Sequence, residues 1–355
     1  MGFIEKKEIG DQKILSVAGI NIPYKVEEMG EKRKAVICGI PVIYYRDTNN
    51  ESVYFKIFNK KLYFKESRKA RHYRLRDKLN DEVCKKMLVE EISPLVGYKM
   101  NLDNPETFNE KINWLKIHNH DPRITTCCDK YAVKQYATEK IGSEYVLPVL
   151  GVWENPEDID FSCLPEKFAL KVNWSSGFNI IVKDKAELNI DETREQLRKW
   201  MLPSSNSYYD TFNYGYKHMK PVIYAEPYIE QIDGQVYDYK LYFTNGEFIY
   251  MFIATDRLGE KSLTYTFFDN NFNHLPFTYG GKPNATPIPQ MPKNLDKMLE
   301  LGKVLASDFP FVRVDFYEVG EDEIYLGEMT FYSGGGTLPM TPVEWDKKLG
   351  EKIKI

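Results

Sequence analysis

The sequence predicts an α+β protein, and three observations carry that prediction. Alternating, strand-like patterns recur in "KFALKVN", "VIYAEPYIE" and "VYDYKLYFTNGEFIYMFIATD". Helical spacing recurs in "NPETFNEKINWLK", "DKYAVKQYATEKIG" and "KNLDKMLELGKVLASDF". The strands are joined mostly by hairpins rather than by helices, which argues against a parallel sheet.

At 355 residues the chain is long enough for two or three domains. Hydrophobic residues make up 43% and charged residues 28%, with a net charge of −4, so neither disorder nor a nucleic-acid-binding polycation is indicated. No nucleic-acid partner is expected. The five cysteines, Cys38, Cys84, Cys127, Cys128 and Cys163, are odd in number and show no zinc-like spacing, which points to free thiols in a reducing compartment. "MGFIEKKEIG" lacks the apolar stretch of a signal peptide, and no run of about eighteen apolar residues exists. A cytoplasmic protein is expected.

Three opening segments look alike: "LSVAGINIPYK", "AVICGIPVIYY" and "FKIFNKKLYFK". They align Gly19, Gly39 and Asn59 at a period of 20 residues (39 − 19 and 59 − 39). Gly and Asn tolerate positive φ, so each unit reads as two short strands about a left-handed turn residue. A small β-repeat module over 1–66 is expected, against an irregular β region with chance similarity. The basic stretch "KKLYFKESRKARHYRLRDK" leads into Leu75, Leu79, Val83 and Met87 at helical spacing. A helical linker over 67–100 follows, its basic start either a solvated face or a peripheral contact with membrane or with partner enzymes. A catalytic domain over 101–355 begins with Asn104 as helix N-cap ahead of Pro105, Phe108, Ile112 and Leu115. Gly142 closes the next helix.

The hairpin "FVRVDFYEVGEDEIYLGEMTFYSGGG" carries the chemistry. With Glu321 and Asp322 as a two-residue turn, paired residue numbers sum to 643, placing Asp315 opposite Glu328 and Arg313 opposite Thr330 on one face. Opposed carboxylates repel unless a cation lies between them, and hard oxygen ligands suit Mg²⁺. The alternative is a solvent-exposed polar sheet face. In "FALKVNWSSGFNIIV", Lys171 ends a strand and Ser175, Ser176 and Gly177 form a loop whose amides could hold phosphate. Pro227 makes "VIYAEPYIE" a poor central strand but a plausible edge or hinge, with Tyr228 and Ile229 as apolar walls for an adenine ring. Asp238 and Lys240 share a face, either to bind ribose and phosphate or as a plain salt bridge.

Taken in order, these elements resemble the ATP-grasp superfamily, and within it the TupA-like family of teichuronopeptide biosynthesis. "NPETFNEKINWLK", "DKYAVKQYATEKIG", "YVLPVLGVW", "LPEKFALKVN", "DYKLYFTNGE", "VRVDFYE" and "LGEMTFYSGG" carry the closer match. The resemblance implies two α+β subdomains gripping ATP between antiparallel sheets, with a lid subdomain at about 166–230. It makes Lys130, or its neighbour Lys134, and Lys171 the ATP lysines. It also implies a phosphate loop at Ser175, Ser176 and Gly177, an adenine hinge at Glu226, Tyr228 and Ile229, and Asp238 on the ribose side. Lys240 would lie near the γ-phosphate or acceptor carboxylate, and Arg313 would stabilise tetrahedral charge. Asp315, Glu328 and Thr330 would hold Mg²⁺, although many superfamily members have Asn where this chain has Thr330. Relatives often have Asn-His where this chain has Asn173 and Trp174. Ser333, Gly334, Gly335 and Gly336 are the candidate acceptor site. The implied reaction joins a uronic acid of a surface glycan, or its precursor, to a small amine. The alternatives are a kinase on the same fold, a glycosyltransferase and a non-catalytic glycan-binding protein.

Overall fold

The computed structural model describes the backbone of 4–9, 12–17, 20–29, 32–37, 40–47, 52–57 and 60–65. It further describes 71–72, 75 and 78–355, apart from 175, 203–204, 230–237, 256–262 and 320–322. Residues 1–78 and 79–355 are separate compact units.

The first unit contains an antiparallel meander, β1 (Ile4–Ile9), β2 (Gln12–Val17), β3 (Ile20–Met29), β4 (Lys32–Ile37), β5 (Ile40–Asp47), β6 (Ser52–Ile57) and β7 (Lys60–Lys65), each paired with the next. Val17 pairs with Ile20, Ile37 with Ile40 and Ile57 with Lys60, so tight reversals recur every 20 residues (37 − 17 and 57 − 37). The expected turn residues Gly19, Gly39 and Asn59 lie outside the described residues, as does much of the basic stretch.

The second unit begins with α1 (Asp81–Val96), whose N-cap Asn80 accepts from the Val83 amide. The helix therefore starts beyond Leu75 and Leu79, which the four-residue spacing had joined to it. Helix α2 (Phe108–His118) is capped by Thr107 and not by Asn104. Thr107 accepts from the Glu110 amide at 3.2 Å while the Glu110 carboxylate accepts from the Thr107 amide at 3.0 Å, a reciprocal pair that Asn104 cannot form. Short α3 (Pro122–Cys128) and α4 (Val133–Ile141) follow, and Gly142 ends α4 at φ 101° as expected.

Two antiparallel sheets then frame a cleft. The smaller has the order β10 (Asn179–Val182), β9 (Phe168–Val172), β11 (Ile223–Pro227), β8 (Gly151–Trp153). The larger has the order β15 (His274–Leu275), β14 (Thr264–Phe268), β13 (Glu247–Thr255), β12 (Asp238–Thr244), β17 (Val312–Val319), β18 (Glu323–Thr330). Further elements are α5 (Ile190–Trp200), α6 (Tyr208–Thr211), α7 (Leu295–Ala306), α8 (Glu344–Gly350) and the short pair β16 (Thr278–Tyr279) with β19 (Met340–Thr341). One face of the larger sheet carries Leu241, Phe243, Val312, Val314 and Phe316, all buried. Against β12 and β17 packs α7, burying Met298, Leu301 and Leu305 at helical spacing. At Gly302 an added Cβ would meet the Phe243 ring at 2.5 Å, so helix and sheet approach as closely as glycine permits. The core thus lies behind the sheet and leaves its other face to the cleft. Among the described residues no helix is long and apolar enough to cross a membrane.

Thr107→Ala removes one half of the capping pair that starts α2, and is expected to lower unfolding stability by about 1 kcal/mol in a denaturant titration.

Candidate active site

The cleft face of the larger sheet is organised in rows across strands. Lys240 pairs with Asp315 and Asp315 with Glu328; Tyr242 pairs with Arg313 and Arg313 with Thr330. The expected register is therefore present at these pairs. At the hairpin tip Val319 pairs with Glu323, so paired numbers sum to 642, and a bulge beside Asp315 and Phe316 shifts the sum to 643. Gly327 is the extra residue. Were Gly327 paired in a regular ladder and not bulged, Asp315 would face Gly327, and Glu328 would point to the α7 side, because a one-residue slip reverses every side chain. A Cβ on Gly327 would meet the Tyr317 ring at 2.7 Å, which ties the bulge to glycine. The turn placed at Glu321 and Asp322 lies outside the described residues.

Asp315 is not on a solvated surface, at 1% exposed, and Glu328 is half-buried, with its side chain 30% exposed. A guanidinium lies between the opposed carboxylates. Arg313 Nε donates to Asp315 Oδ1 at 2.6 Å and Nη2 to Asp315 Oδ2 at 2.7 Å, while Nη2 also reaches Glu328 Oε1 at 3.0 Å. Lys240 Nζ bridges Asp315 and Asp238, the latter at 2.8 Å, and Lys130 Nζ meets Glu328 Oε2 at 3.1 Å. Thr330 donates to Glu328 Oε1 at 3.1 Å. Burial pushes the Asp315 carboxyl up against the opposing pull of Arg313 and Lys240. Burial would raise Glu328 too, but Lys130, Lys240 and Arg313 outweigh it and hold this carboxyl well below the usual range.

The smaller sheet supplies the opposite wall. Strand β11 is central over Ile223–Ala225, flanked by β8 and β9; at Glu226 and Pro227 only β9 still pairs. The proline is accommodated because β8 has ended, which corrects the reading of the whole strand as an edge. The Glu226 carboxylate, expected only as part of a backbone hinge, is 4% exposed and forms ion pairs with both Lys134 and Lys171, the second at 2.5 Å. Lys130 and Lys171 line the cleft, whereas Lys134 is not among its lining residues; its ammonium donates to the Leu147 carbonyl at 2.8 Å.

Sequence reasoning missed Asp129 and the side chain of Asn173. Asn173 Nδ2 donates to Asp129 Oδ2 at 2.6 Å and to the Lys220 carbonyl at 3.0 Å, while its Oδ1 accepts from the Val222 amide at 2.9 Å. The Lys130 amide donates to the Asn173 carbonyl at 3.0 Å, so one buried asparagine ties the Lys130 turn to β9 and to the approach to β11. The neighbouring departure, Trp174, is buried and donates its indole N–H to the Trp200 carbonyl at 2.9 Å, anchoring the loop to α5. Ser176 and Gly177 are exposed at the cleft, Gly177 at φ +77°; Ser175 lies outside the described residues.

Between the sheets lies a 360 Å³ cleft with Lys130, Lys171, Glu226, Asp238, Lys240 and Glu328 on its walls and Tyr228 and Ile229 at the hinge. A second cavity of 270 Å³ shares Ser176, Lys240 and Glu328 with it and adds Tyr216, Phe252, Tyr265, Arg313, Thr330 and Ser333. Ser333 Oγ exchanges a hydrogen bond with Tyr242 at 2.8 Å and accepts one from Arg313 Nη1 at 3.4 Å. Gly334, Gly335 and Gly336 are all left-handed, at φ 58–62°. Their carbonyls are tied into the fold: Lys116 donates to Gly335 at 2.6 Å and Asn113 to Gly336 at 2.8 Å. Ser333 and Gly334 line the second cavity; Gly335 and Gly336 serve to hold that wall against α2.

A family model described as TupA-like ATPgrasp matches residues 110–354. Among solved structures, D-alanine–D-alanine ligase from Bacillus anthracis complexed with ATP is 14% identical, with 58% of this chain and 55% of that chain covered and a TM-score of 0.35. The corresponding ligase from Helicobacter pylori is 17% identical over 64% and 61%, at 0.35, and N5-carboxyaminoimidazole synthetase from Staphylococcus aureus 12% over 58% and 44%, at 0.33. The chain thus spans 55% to 61% of the first two structures' lengths. The comparison with curated proteins gives no match.

Asp315→Asn should remove the shared counter-charge of Arg313 and Lys240 and lower unfolding stability by about 3–5 kcal/mol in chemical denaturation. Because the folded pKa of Glu328 is depressed, its contribution is present above the unfolded carboxylate pKa and is lost as pH falls through the folded value. Thermal melts should therefore show a shallower acid limb for Glu328→Gln than for the native protein below about pH 4.3.

Proposed function

The chain belongs to the TupA-like ATP-grasp family, and on that premise we propose that it is an ATP-dependent carboxylate–amine ligase. Its acceptor would be a uronic acid of a bacterial cell-surface polysaccharide or precursor, and its second substrate an amino acid or small amine. The observation that carries this reading is the junction at Lys240 and Glu328, where a cleft walled by Lys130 and Lys171 opens onto an arginine-bearing, tyrosine-lined cavity.

In this reading Lys130 and Lys171 hold phosphate oxygens, the chain from Glu226 to Ile229 takes the adenine edge, and Asp238 takes the ribose side. Arg313 is fixed by its fork on Asp315, which leaves Nη1 turned towards Ser333 in the second cavity. A carboxylate docked there would meet a preorganised guanidinium that serves equally for developing oxyanion charge. The aromatic walls formed by Tyr216, Phe252 and Tyr265 suit a sugar ring bearing hydroxyls. The acceptor carboxylate takes the γ-phosphoryl group, giving an acyl phosphate and ADP; the amine then attacks the acyl carbon, phosphate leaves, and the amine gives up a proton.

Glu328 and Thr330 are oxygen donors at the cleft and fit a hard cation such as Mg²⁺. Asp315, with its oxygens engaged by Arg313 and Lys240, would join them only by giving up one of those partners. Among the described residues no group of three or more His, Cys, Asp or Glu side chains is placed to hold a metal by itself. A cation there would neutralise phosphate charge.

Sustained ADP release from MgATP, beyond one equivalent of enzyme, should require both a uronic acid and an amine, and Glu328→Gln and Lys171→Met should each lower it by roughly 10²–10³-fold. ATP consumption without amine, with phosphate retained on the sugar, would replace the ligase by a kinase.

A further inference from the structure

The pairing of Glu226 with two lysines poses a problem for any ligand that engages one of them. Lys171 faces the cleft with its side chain 23% exposed, whereas Lys134 is 12% exposed and held from behind by the Leu147 carbonyl. Glu226 lies between them with its side chain 5% exposed. Burial would raise its carboxyl, but the two ammonium groups outweigh that and hold it below the usual range. Burial in turn lowers Lys134, with Glu226 opposing. If phosphate drew Lys171 away and nothing else remained, a buried carboxylate would stand unpaired, which proteins strongly disfavour. Lys171 would then stay on Glu226 and be lost to the ligand.

We propose that Lys134 is the resident counter-ion of Glu226, a positioning residue that keeps the buried carboxylate paired and so frees Lys171 to leave it for a nucleotide phosphate. The proposal rests on the nucleotide reading of the cleft and adds to it a division of labour. Of the lysines in "DKYAVK", Lys130 meets the ligand and Lys134, one helical turn on, meets Glu226. Lys134 touches no ligand; it acts through Glu226 on Lys171.

The test is calorimetric titration of the full chain with the non-hydrolysable analogue β,γ-imido-ATP plus Mg²⁺, and separately with adenosine, which has no phosphate. Lys134→Met should weaken analogue binding by roughly tenfold or more while leaving adenosine binding near native. Lys134→Arg should keep native affinity. The double variant Lys134→Met with Glu226→Gln should regain most of the lost analogue affinity, because the neutral amide no longer sequesters Lys171. A merely structural role predicts the opposite: equal losses for both ligands and no recovery in the double variant.

Should Lys134→Met fail to fold, lysine side-chain NMR of the native protein decides the matter. On adding the analogue the Lys171 ε signals should shift and those of Lys134 should stay. Shifting Lys134 signals, or an unchanged analogue affinity in Lys134→Met, would overturn the proposal alone. Native protein that binds neither analogue nor adenosine would overturn the nucleotide reading, and this proposal with it.

Discussion

The fork of Arg313 on Asp315 is the constraint from which the site is built. A guanidinium and a carboxylate this deeply buried are tolerable only if each finds partners, and neither alone satisfies the other. Asp315 therefore also takes Lys240, Lys240 takes Asp238, and the remaining reach of Arg313 goes to Glu328, which Lys130 completes. Acids and cations alternate along this network. Three strands must lie side by side in register for it to close, so the electrostatics and the β12–β17–β18 pairing depend on each other. The Gly327 bulge belongs to the same requirement, since it keeps Glu328 on the charged face.

Such a network also explains how the cleft can be rich in lysine. Lys130 and Lys171 each rest on a carboxylate, Glu328 and Glu226 respectively. In the proposed reading a phosphate chain would not have to strip water from bare ammonium groups; it would exchange one anionic partner for another. Such an exchange would be favourable only where the abandoned carboxylate keeps a second cation, and each carboxylate has one: Glu328 also pairs with Arg313 and Glu226 with Lys134. Two unrelated corners of the cleft thus follow the same rule.

Much of this was legible because it is local. The alternation of "VRVDFYE" and "LGEMTFY" marks two strands and their shared face, and the pairing of Asp315 with Glu328 is present. The register expected from a two-residue turn holds at Asp315 and Glu328 and is off by one at Val319 and Glu323, because a bulge shifts it between them. Bulges leave little trace in a sequence beyond a glycine inside a strand, and Gly327 is that trace. The cap of α2 was misplaced at Asn104 although "TFNE" holds the reciprocal Thr-x-x-Glu pattern. The side chain of Glu226 was not legible at all. Its partners come from α4 and β9, and a residue's distant neighbours are a property of the fold rather than of its own segment. The acids were expected to hold a metal; the arginine that also touches both of them was not foreseen. Charge neutrality demands a cation without naming it.

The polar stripe of α2 shows how far the site reaches into ordinary helix chemistry. Asn109, Asn113 and Lys116 recur at helical spacing and are buried, beside the apolar set Phe108, Ile112 and Leu115. Asn109 is held by Asp346 of α8, Asn113 and Lys116 hold the carbonyls of Gly336 and Gly335, and these fix the wall on which Ser333 meets Tyr242 and Arg313. The left-handed glycines are needed for close approach: a Cβ on Gly336 would meet the Asn113 amide at 2.6 Å, and one on Gly334 the Tyr279 hydroxyl at 2.2 Å. Glycine here therefore serves packing as much as backbone freedom, and the bareness that suggested a substrate loop is explained first by the helix behind it. Only Ser333 and Gly334 are left to face the cavity. In the proposed reading, orientation of the acceptor would come chiefly from Arg313 and the tyrosine walls; the position of Arg313 itself is set by Asp315 on one side and by this helix-held segment on the other.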